Sequence, residues 1–298
     1  MNRKTFIRNS SLLSAAAVLP KMTDLPNTQL ADIKVALIGI PYDSNSSFLR
    51  GPSYAPPRIR LMDKDGSANS YAELGLPVFE NETYIDKGDL TFPTTDAKKD
   101  FQIIRDAIAK QIKTHKVLSL GGDHSVTYPI IKAYSEKYPN LNILHIDAHP
   151  DLYDNFDDNP FSHASPFARI MENKLCLSLT QVGIRTLNPA QRTQVKRFGV
   201  KQVEMKDFSY AFINDLKGPL YISLDLDSID PAFAPGVSHH EPGGLTVREV
   251  LTILQKIPLS VEIVGADIVE YNPTRDHQNM TAMVAYKCLK ELVALLNR

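Results

Sequence analysis

Three short polar motifs in this chain each follow an apolar run: Gly121-Gly122-Asp123-His124 after Val117 to Leu120, Asp147-Ala148-His149-Pro150-Asp151 after Asn142 to Ile146, and Asp225-Leu226-Asp227 after Leu220 to Leu224. Alternate residues of an extended chain point the same way, so Asp147, His149 and Asp151 share one side, as do Asp225 and Asp227. With His124 the set offers two imidazoles and four carboxylates. Carboxylates brought within a few ångströms of one another drive their pKa values upward, a conflict that a cation removes. Six ligands exceed what one divalent ion usually takes from side chains, so two ions sharing bridging carboxylates is the economical arrangement. Such a pair, about 3.5 to 4 Å apart, lowers the pKa of a shared water toward ~7 and supports hydrolysis at neutral pH. Oxygen and imidazole donors without thiolate suit manganese better than structural zinc, with geometry and availability deciding the occupant. One Asp-x-His-x-Asp motif alone reads equally well as a solvated loop or a single-metal site; three clusters, each behind a buried strand, point to a built centre.

The elements that must position these residues read as an α/β fold. Strands are expected over Lys34 to Ile40, Val117 to Leu120, Asn142 to Asp147, Leu179 to Ile184, Lys201 to Glu204, Leu220 to Leu226 and Glu262 to Val269. Their near-continuous apolar character implies a mainly parallel sheet buried on both faces. Helical periodicity over Ala97 to His115 aligns Phe101, Ile104, Ile108 and Ile112; over Met280 to Leu296 it aligns Met283, Val284, Cys288, Leu292 and Leu295. These stripes are core. The Pro- and Gly-dense stretches Gly51 to Pro57 and Pro231 to Gly244 read as long surface loops. In a parallel sheet all three polar clusters emerge at the carboxyl edge, where open α/β sheets bind ligands.

Composition narrows the partners. The 298 residues carry 33 basic and 34 acidic side chains, a formal charge of -1, with no basic stripe of the kind that binds nucleic acid. A small molecule fits better. The cysteines Cys176 and Cys288 show no pairing pattern and read as free thiols. No apolar run reaches the ~18 residues of a membrane span. At the N-terminus, Arg3, Lys4 and Arg8 precede an apolar run from Leu12 to Leu19, and no acid appears before Asp24. That order suits an export signal, twin-arginine-like but with lysine in place of the second arginine; a mitochondrial presequence or the tail of a cytoplasmic protein are the alternatives. The expected organisation is a targeting segment or disordered tail over residues 1–30 and one catalytic domain over 31–298.

The motif set resembles the ureohydrolase family of arginases and agmatinases, and within it plant-type arginases. The resemblance runs from about Ile33 to the C-terminus and rests on Gly39-Ile40-Pro41-Tyr42-Asp43, Asn45-Ser46-Ser47-Phe48, Gly121 to Ser125, Asp147 to Asp151, Ser162-His163-Ala164-Ser165, Ser223 to Asp227 and Gly236 to Gly244. It implies a three-layer α/β/α fold around an eight-stranded, mainly parallel sheet, assembled as trimers or hexamers. It also implies two manganese ions per subunit: His124 and Asp151 on one, His149 and Asp227 on the other, Asp147 and Asp225 bridging. By the same resemblance His163 shuttles a proton, Glu270 grips the guanidinium of the substrate and Asp151 supports the attacking water. The expected reaction is hydrolysis of L-arginine to L-ornithine and urea, with agmatine or another guanidino acid as alternative substrates; a non-catalytic metal-binding assembly protein is the alternative of another class. Discrimination between arginine and agmatine is expected from the loops Asp151 to His163, Arg185 to Asn188 and Gly236 to Gly244, with Asn155, Asn188 and His240 as substrate contacts.

Overall fold

Along the strands, side chains alternate between two buried faces, and this alternation builds the body of the molecule. In β1 (Val35–Gly39), Val35 and Leu37 enter one core while Ala36 and Ile38 enter another on the opposite side of the sheet. The structure is a computed structural model that describes residues 35–66, 68–93 and 96–298. The segment expected over residues 1–30 lies outside the described residues.

After β1 come α1 (Ala55–Asp65), β2 (Tyr84–Asp89), α2 (Ala97–Gln111), β3 (Val117–Leu120), α3 (Thr127–Lys137), β4 (Asn142–Ile146), α4 (Pro166–Glu172), β5 (Ser178–Ile184), α5 (Pro189–Phe198), β6 (Lys201–Glu204), β7 (Leu220–Asp225), α6 (Val247–Lys256), β8 (Ile263–Val269) and α7 (Met280–Leu296). The eight strands lie in the order β2-β1-β3-β8-β7-β4-β5-β6, and every pairing is parallel. Residues of α1, α6 and α7 fill the core on one face; residues of α2, α3 and α4 fill the other. The result is the three-layer α/β/α arrangement that the resemblance implies.

Three readings of the sequence need correction. The strand β2 was not expected, because Tyr-Ile-Asp-Lys-Gly-Asp carries little apolar signal. It is an edge strand, half-exposed, paired only with β1, and Arg60 of α1 bridges its Asp86 and Asp89. Charges on an edge also guard it against pairing with another chain. The stretch Gly51 to Pro57, expected as loop, holds a 3₁₀ turn at Pro52–Tyr54 and the first turn of α1. Its prolines stand in the first turn, where a missing N–H costs no helical bond. The helix expected over Ala97 to His115 closes earlier, at Gln111, after a start capped by Asp96.

The chain order reverses across the middle of the sheet: β1, β2 and β3 lie to one side, β4, β5 and β6 to the other, and β7 and β8 are inserted between them. The four adjacent central strands β3, β8, β7 and β4 therefore end at one crevice. Everything polar described below hangs from their carboxyl ends.

Candidate active site

Each cluster is turned into the crevice by a local device. After β3, Gly122 passes so close to Tyr42 that a Cβ at this position would lie 1.7 Å from the Tyr42 carbonyl oxygen, so only glycine fits. Asp123 then caps the 3₁₀ turn His124–Val126 and puts the His124 ring into the crevice. After β7, Asp225 caps the turn Leu226–Ser228 through its side chain, which accepts from the Asp227 N–H at 2.7 Å. After β4, Asp147 accepts the His149 N–H at 2.6 Å. Asp151 stands at φ +50° and Glu270, just past β8, at φ +62°. Two non-glycine residues in the left-handed region, both aimed at one crevice, are strain of the kind that functional sites hold.

These devices gather all six expected ligands. His124 Nδ1 lies 3.1 Å from Asp147 Oδ2, 3.1 Å from Asp151 Oδ2 and 3.0 Å from Asp225 Oδ2, yet this buried nitrogen makes no hydrogen bond. His149 Nδ1 lies 3.0 Å from Asp227 Oδ2 and 3.5 Å from Asp147 Oδ1. An orphaned nitrogen amid three carboxylate oxygens is what a divalent cation would satisfy, so the donor set fits a metal centre. Proximity alone would also count His145, beside His124 and Asp147. Its nitrogens are already engaged: Nε2 is 2.6 Å from Asp147 Oδ2 and Nδ1 is 2.9 Å from Gln181 Nε2, while its ring stacks on Phe167. It backs Asp147 and Phe167 and leaves neither ring nitrogen free.

Without a cation the cluster holds protons in its place. Burial, then the charges of Asp227 and Asp147, pushes Asp225 well above the usual carboxylate range; burial and Asp147 raise Asp151. Burial opposes charge on His124 and His149, but their carboxylate partners lift both well above the imidazole value. Asp147, despite its burial, is held low by His145 and His124.

A linkage prediction arises here. A histidine raised in the folded state gives stability that is full below its unfolded value of about 6.5 and is lost as pH climbs through the folded value. The raised Asp225 and Asp151 act in the same direction, since the folded chain keeps protons that the unfolded chain has released. Chelated protein should therefore melt at progressively lower temperature as pH rises above about 6.5. Manganese should reverse the trend, because deprotonated ligands bind it better. Thermal melts with chelator and with manganese across this range check both slopes; a chelated protein that gains stability through the window would contradict the proton-filled cluster.

Beside the cluster, His163 Nδ1 contacts Glu270 Oε1 at 2.8 Å, and its Nε2 contacts Ser47 Oγ at 2.8 Å. Glu270 Oε1 also accepts the His124 N–H at 2.8 Å. Burial works against charge on His163, but Glu270 outweighs it and carries the ring to about 9. A cavity of about 180 Å³ opens over His149, Asp151, His163, Asp225, Asp227 and Glu270.

A sequence model described as the arginase family matches residues 33–294. The chain belongs to the arginase family. Arginase 1, mitochondrial, of Arabidopsis thaliana is 46% identical over 284 residues, which cover 90% of this chain and 82% of that protein. An agmatinase of Bacillus cereus is 32% identical over 270 residues, covering 87% and 91%. Among solved structures, the arginase from Medicago truncatula superposes with a TM-score of 0.82 at 42% identity, covering 88% of this chain and 87% of that one. The arginase family is one of metal-dependent hydrolases, and the crevice carries histidine and aspartate clusters able to hold a metal.

The far end of the cavity differs from the expected substrate contacts. Asn155 is exposed and lines a separate surface cleft with Asp154, Thr193 and Arg197. Asn188 caps α5, its Oδ1 accepting from Gln191 N and its Nδ2 donating to Tyr153 OH at 2.6 Å. His240 is exposed, with Nε2 2.7 Å from the Pro235 carbonyl oxygen. The cavity wall is made instead by neighbours in the same loops, Tyr153, Phe156, Thr186 and His239, with Gln191 of α5 and Ser47. Arg185 does not face a ligand; its four hydrogen bonds go to the carbonyls of Gly183, Asp227, Ser228 and Glu241. The loops were identifiable by their place after strands. Which residue of a loop faces inward is set by contacts such as the Val237 to Tyr271 bridge, for which the sequence carries no periodic signal.

Proposed function

We propose that this chain hydrolyses L-arginine to L-ornithine and urea, using two manganese ions per subunit. The observation that carries the reading is the buried, unpartnered His124 Nδ1 among carboxylates of Asp147, Asp151 and Asp225. His124 and Asp151 would hold one ion, His149 and Asp227 the other, and Asp147 and Asp225 both. When bound, the ions neutralise the carboxylates and supply an activated water beside the substrate carbon. The proposed catalytic domain is 31–298, preceded by a targeting segment or tail over 1–30, and the working form is a trimer or hexamer, as the resemblance implies.

In this reading Glu270 exchanges one cation for another. The substrate guanidinium takes the carboxylate through charge-assisted hydrogen bonds and displaces the His163 imidazolium from it. His163 then loses the counter-charge that holds it at about 9, becomes a stronger acid and gives its proton to the leaving amine. Ser47, on the opposite ring nitrogen, keeps the imidazole oriented during the exchange. The arginine assignment follows the relatives: the plant arginase is the nearer in identity and the agmatinase the more remote. Thr186 and Gln191 lend support, since they line the cavity wall and their side chains have no hydrogen-bond partner among the described residues. With Tyr153 they are the proposed contacts of the α-carboxylate, Asn188 acting through Tyr153.

Urea release from arginine by manganese-loaded protein tests the reaction; absence of urea from any guanidino compound would overturn it. His163→Asn should leave metal content intact and lower turnover by roughly 10²-fold, within the range for acid-base catalysis. Unchanged turnover with full metal content would remove His163 from the proton path.

A further inference from the structure

Asp267 lies on β8 with no exposed surface, and its carboxylate meets three hydroxyls and no cation. Ser223 Oγ donates to Oδ1 at 2.7 Å; Tyr221 OH and Thr127 Oγ1 donate to Oδ2, each at 2.9 Å. Ser223 and Tyr221 come from the neighbouring strand β7, and Thr127 is the first residue of α3. A buried carboxylate without a counter-charge is costly, and burial accordingly raises its pKa. The nearest route to positive charge runs through Ser223, whose Oγ also lies 2.9 Å from His124 Nε2.

The donor inventory fixes the direction of every bond in this chain. A carboxylate only accepts, so each hydroxyl spends its single hydrogen on Asp267. Ser223 then has none left for His124, and its oxygen must accept. His124 therefore carries hydrogen on Nε2, which leaves Nδ1, the nitrogen facing the carboxylates of Asp147, Asp151 and Asp225, as the one that can give up its proton and offer a lone pair to a cation. His149 has no such support. Its Nε2 faces Glu241 Oε1 at 3.8 Å, and its side chain is 24% exposed. One imidazole of the centre is locked by a buried relay, and the other is not.

We propose that Asp267, acting through Ser223, is a positioning residue that fixes His124 as a Nδ1 donor and so sets the affinity of the metal position His124 serves, leaving the position served by His149 unchanged. This rests on the two-ion reading above. Partners that orient a histidine ligand from behind are worth about 10- to 100-fold in metal affinity. The relay also gives the buried carboxylate its purpose: a cation on Nδ1 is felt at Asp267 through one ring and one hydroxyl.

The test uses the full chain with Ser223→Ala and Asp267→Asn, titrated with manganese and read by electron paramagnetic resonance, which separates a spin-coupled pair from a single ion. In Ser223→Ala one of two ions should weaken by about 10- to 100-fold while the other stays within about twofold of the parent. Asp267→Asn should give a smaller shift of the same ion, because the amide oxygen still accepts from Ser223 but carries no charge. Its amide hydrogens can be accepted by Tyr221 and Thr127, so this variant is expected to keep the fold even where Ser223→Ala does not; melting of the chelated proteins checks that. Equal weakening of both ions marks a merely structural loss and overturns the proposal, as does an unchanged titration in both variants. A parent protein that takes up no second ion overturns the two-ion reading and this inference with it, an outcome visible before any variant is made.

Discussion

Asp225→Asn should abolish urea release, by about three orders of magnitude or more, and lose manganese with it, while the chelated variant melts at a higher temperature than the chelated parent. The first half follows from the place of Asp225 in the cluster, with Oδ2 3.0 Å from His124 Nδ1 and Oδ1 holding the Asp227 N–H at 2.7 Å. Removing its charge takes away a donor shared by both proposed metal positions, and without metal the water to be activated returns to a pKa near ~15.7. The second half follows from electrostatics. Asp225 is buried beside Asp147 and Asp227, which drive it well above the usual carboxylate range, so its ionised form costs stability whenever no cation is present. An asparagine keeps the shape, still accepts from Asp227 N and places its amide against the free His124 nitrogen. Metal analysis, a urea assay and melts with chelator separate the two effects. A variant that retains two ions and turnover would remove Asp225 from the centre, and one that melts lower without metal would show that the cluster is not in conflict with itself.

That conflict is also why the site was legible in the sequence. Four carboxylates and two histidines behind apolar runs make little sense as structure, and in a parallel sheet they must emerge together. Strand order then matters only in that β3, β8, β7 and β4 are neighbours, which puts Glu270 of the fourth strand end beside the other three. The extended i, i+2 alternation expected of Asp147, His149 and Asp151 holds only in part, because Asp151 is turned by its left-handed backbone. Less legible were features whose signal is tertiary. The polar edge strand β2 gains its place from pairing with β1 and from Arg60, not from its own apolar content. His163 and Glu270 are ordinary polar residues to any periodicity argument; only the resemblance singled them out, and their 2.8 Å contact gives that a physical basis. Asp267 sits unannounced in a run that reads as buried strand. Asn155, Asn188 and His240 lie in loops that do border the cavity, but face away from it or cap a helix, since side-chain direction in a loop is set by what packs against it.

Arginine should exceed agmatine in kcat/KM by at least about 10²-fold on the same manganese-loaded sample. In the proposed reading the two substrates are alike at the carboxylate cluster, where Glu270 and His163 would meet only the guanidinium. Discrimination must come from the far wall, where Thr186 and Gln191 have no side-chain partner among the described residues and line the cavity with Tyr153. Tyr153 OH accepts from Asn188 Nδ2, which leaves its own hydrogen free for a carboxylate oxygen. Arginine brings that carboxylate; agmatine does not, and would leave the same groups desolvated and unpaired. A site built to hydrogen-bond a substrate group rejects an analogue lacking it far more strongly than an apolar pocket rejects a missing methylene. Gln191→Ala and Thr186→Ala should accordingly raise KM for arginine, leave agmatine hydrolysis nearly unchanged and narrow the ratio from the arginine side. Equal losses for both substrates would assign these residues to the shape of the cavity rather than to recognition. A parent ratio favouring agmatine by tenfold or more would overturn arginine as the substrate while leaving guanidino hydrolysis in place, because the carboxylate contacts could then be erased without touching the residues that hold the metals and the guanidinium.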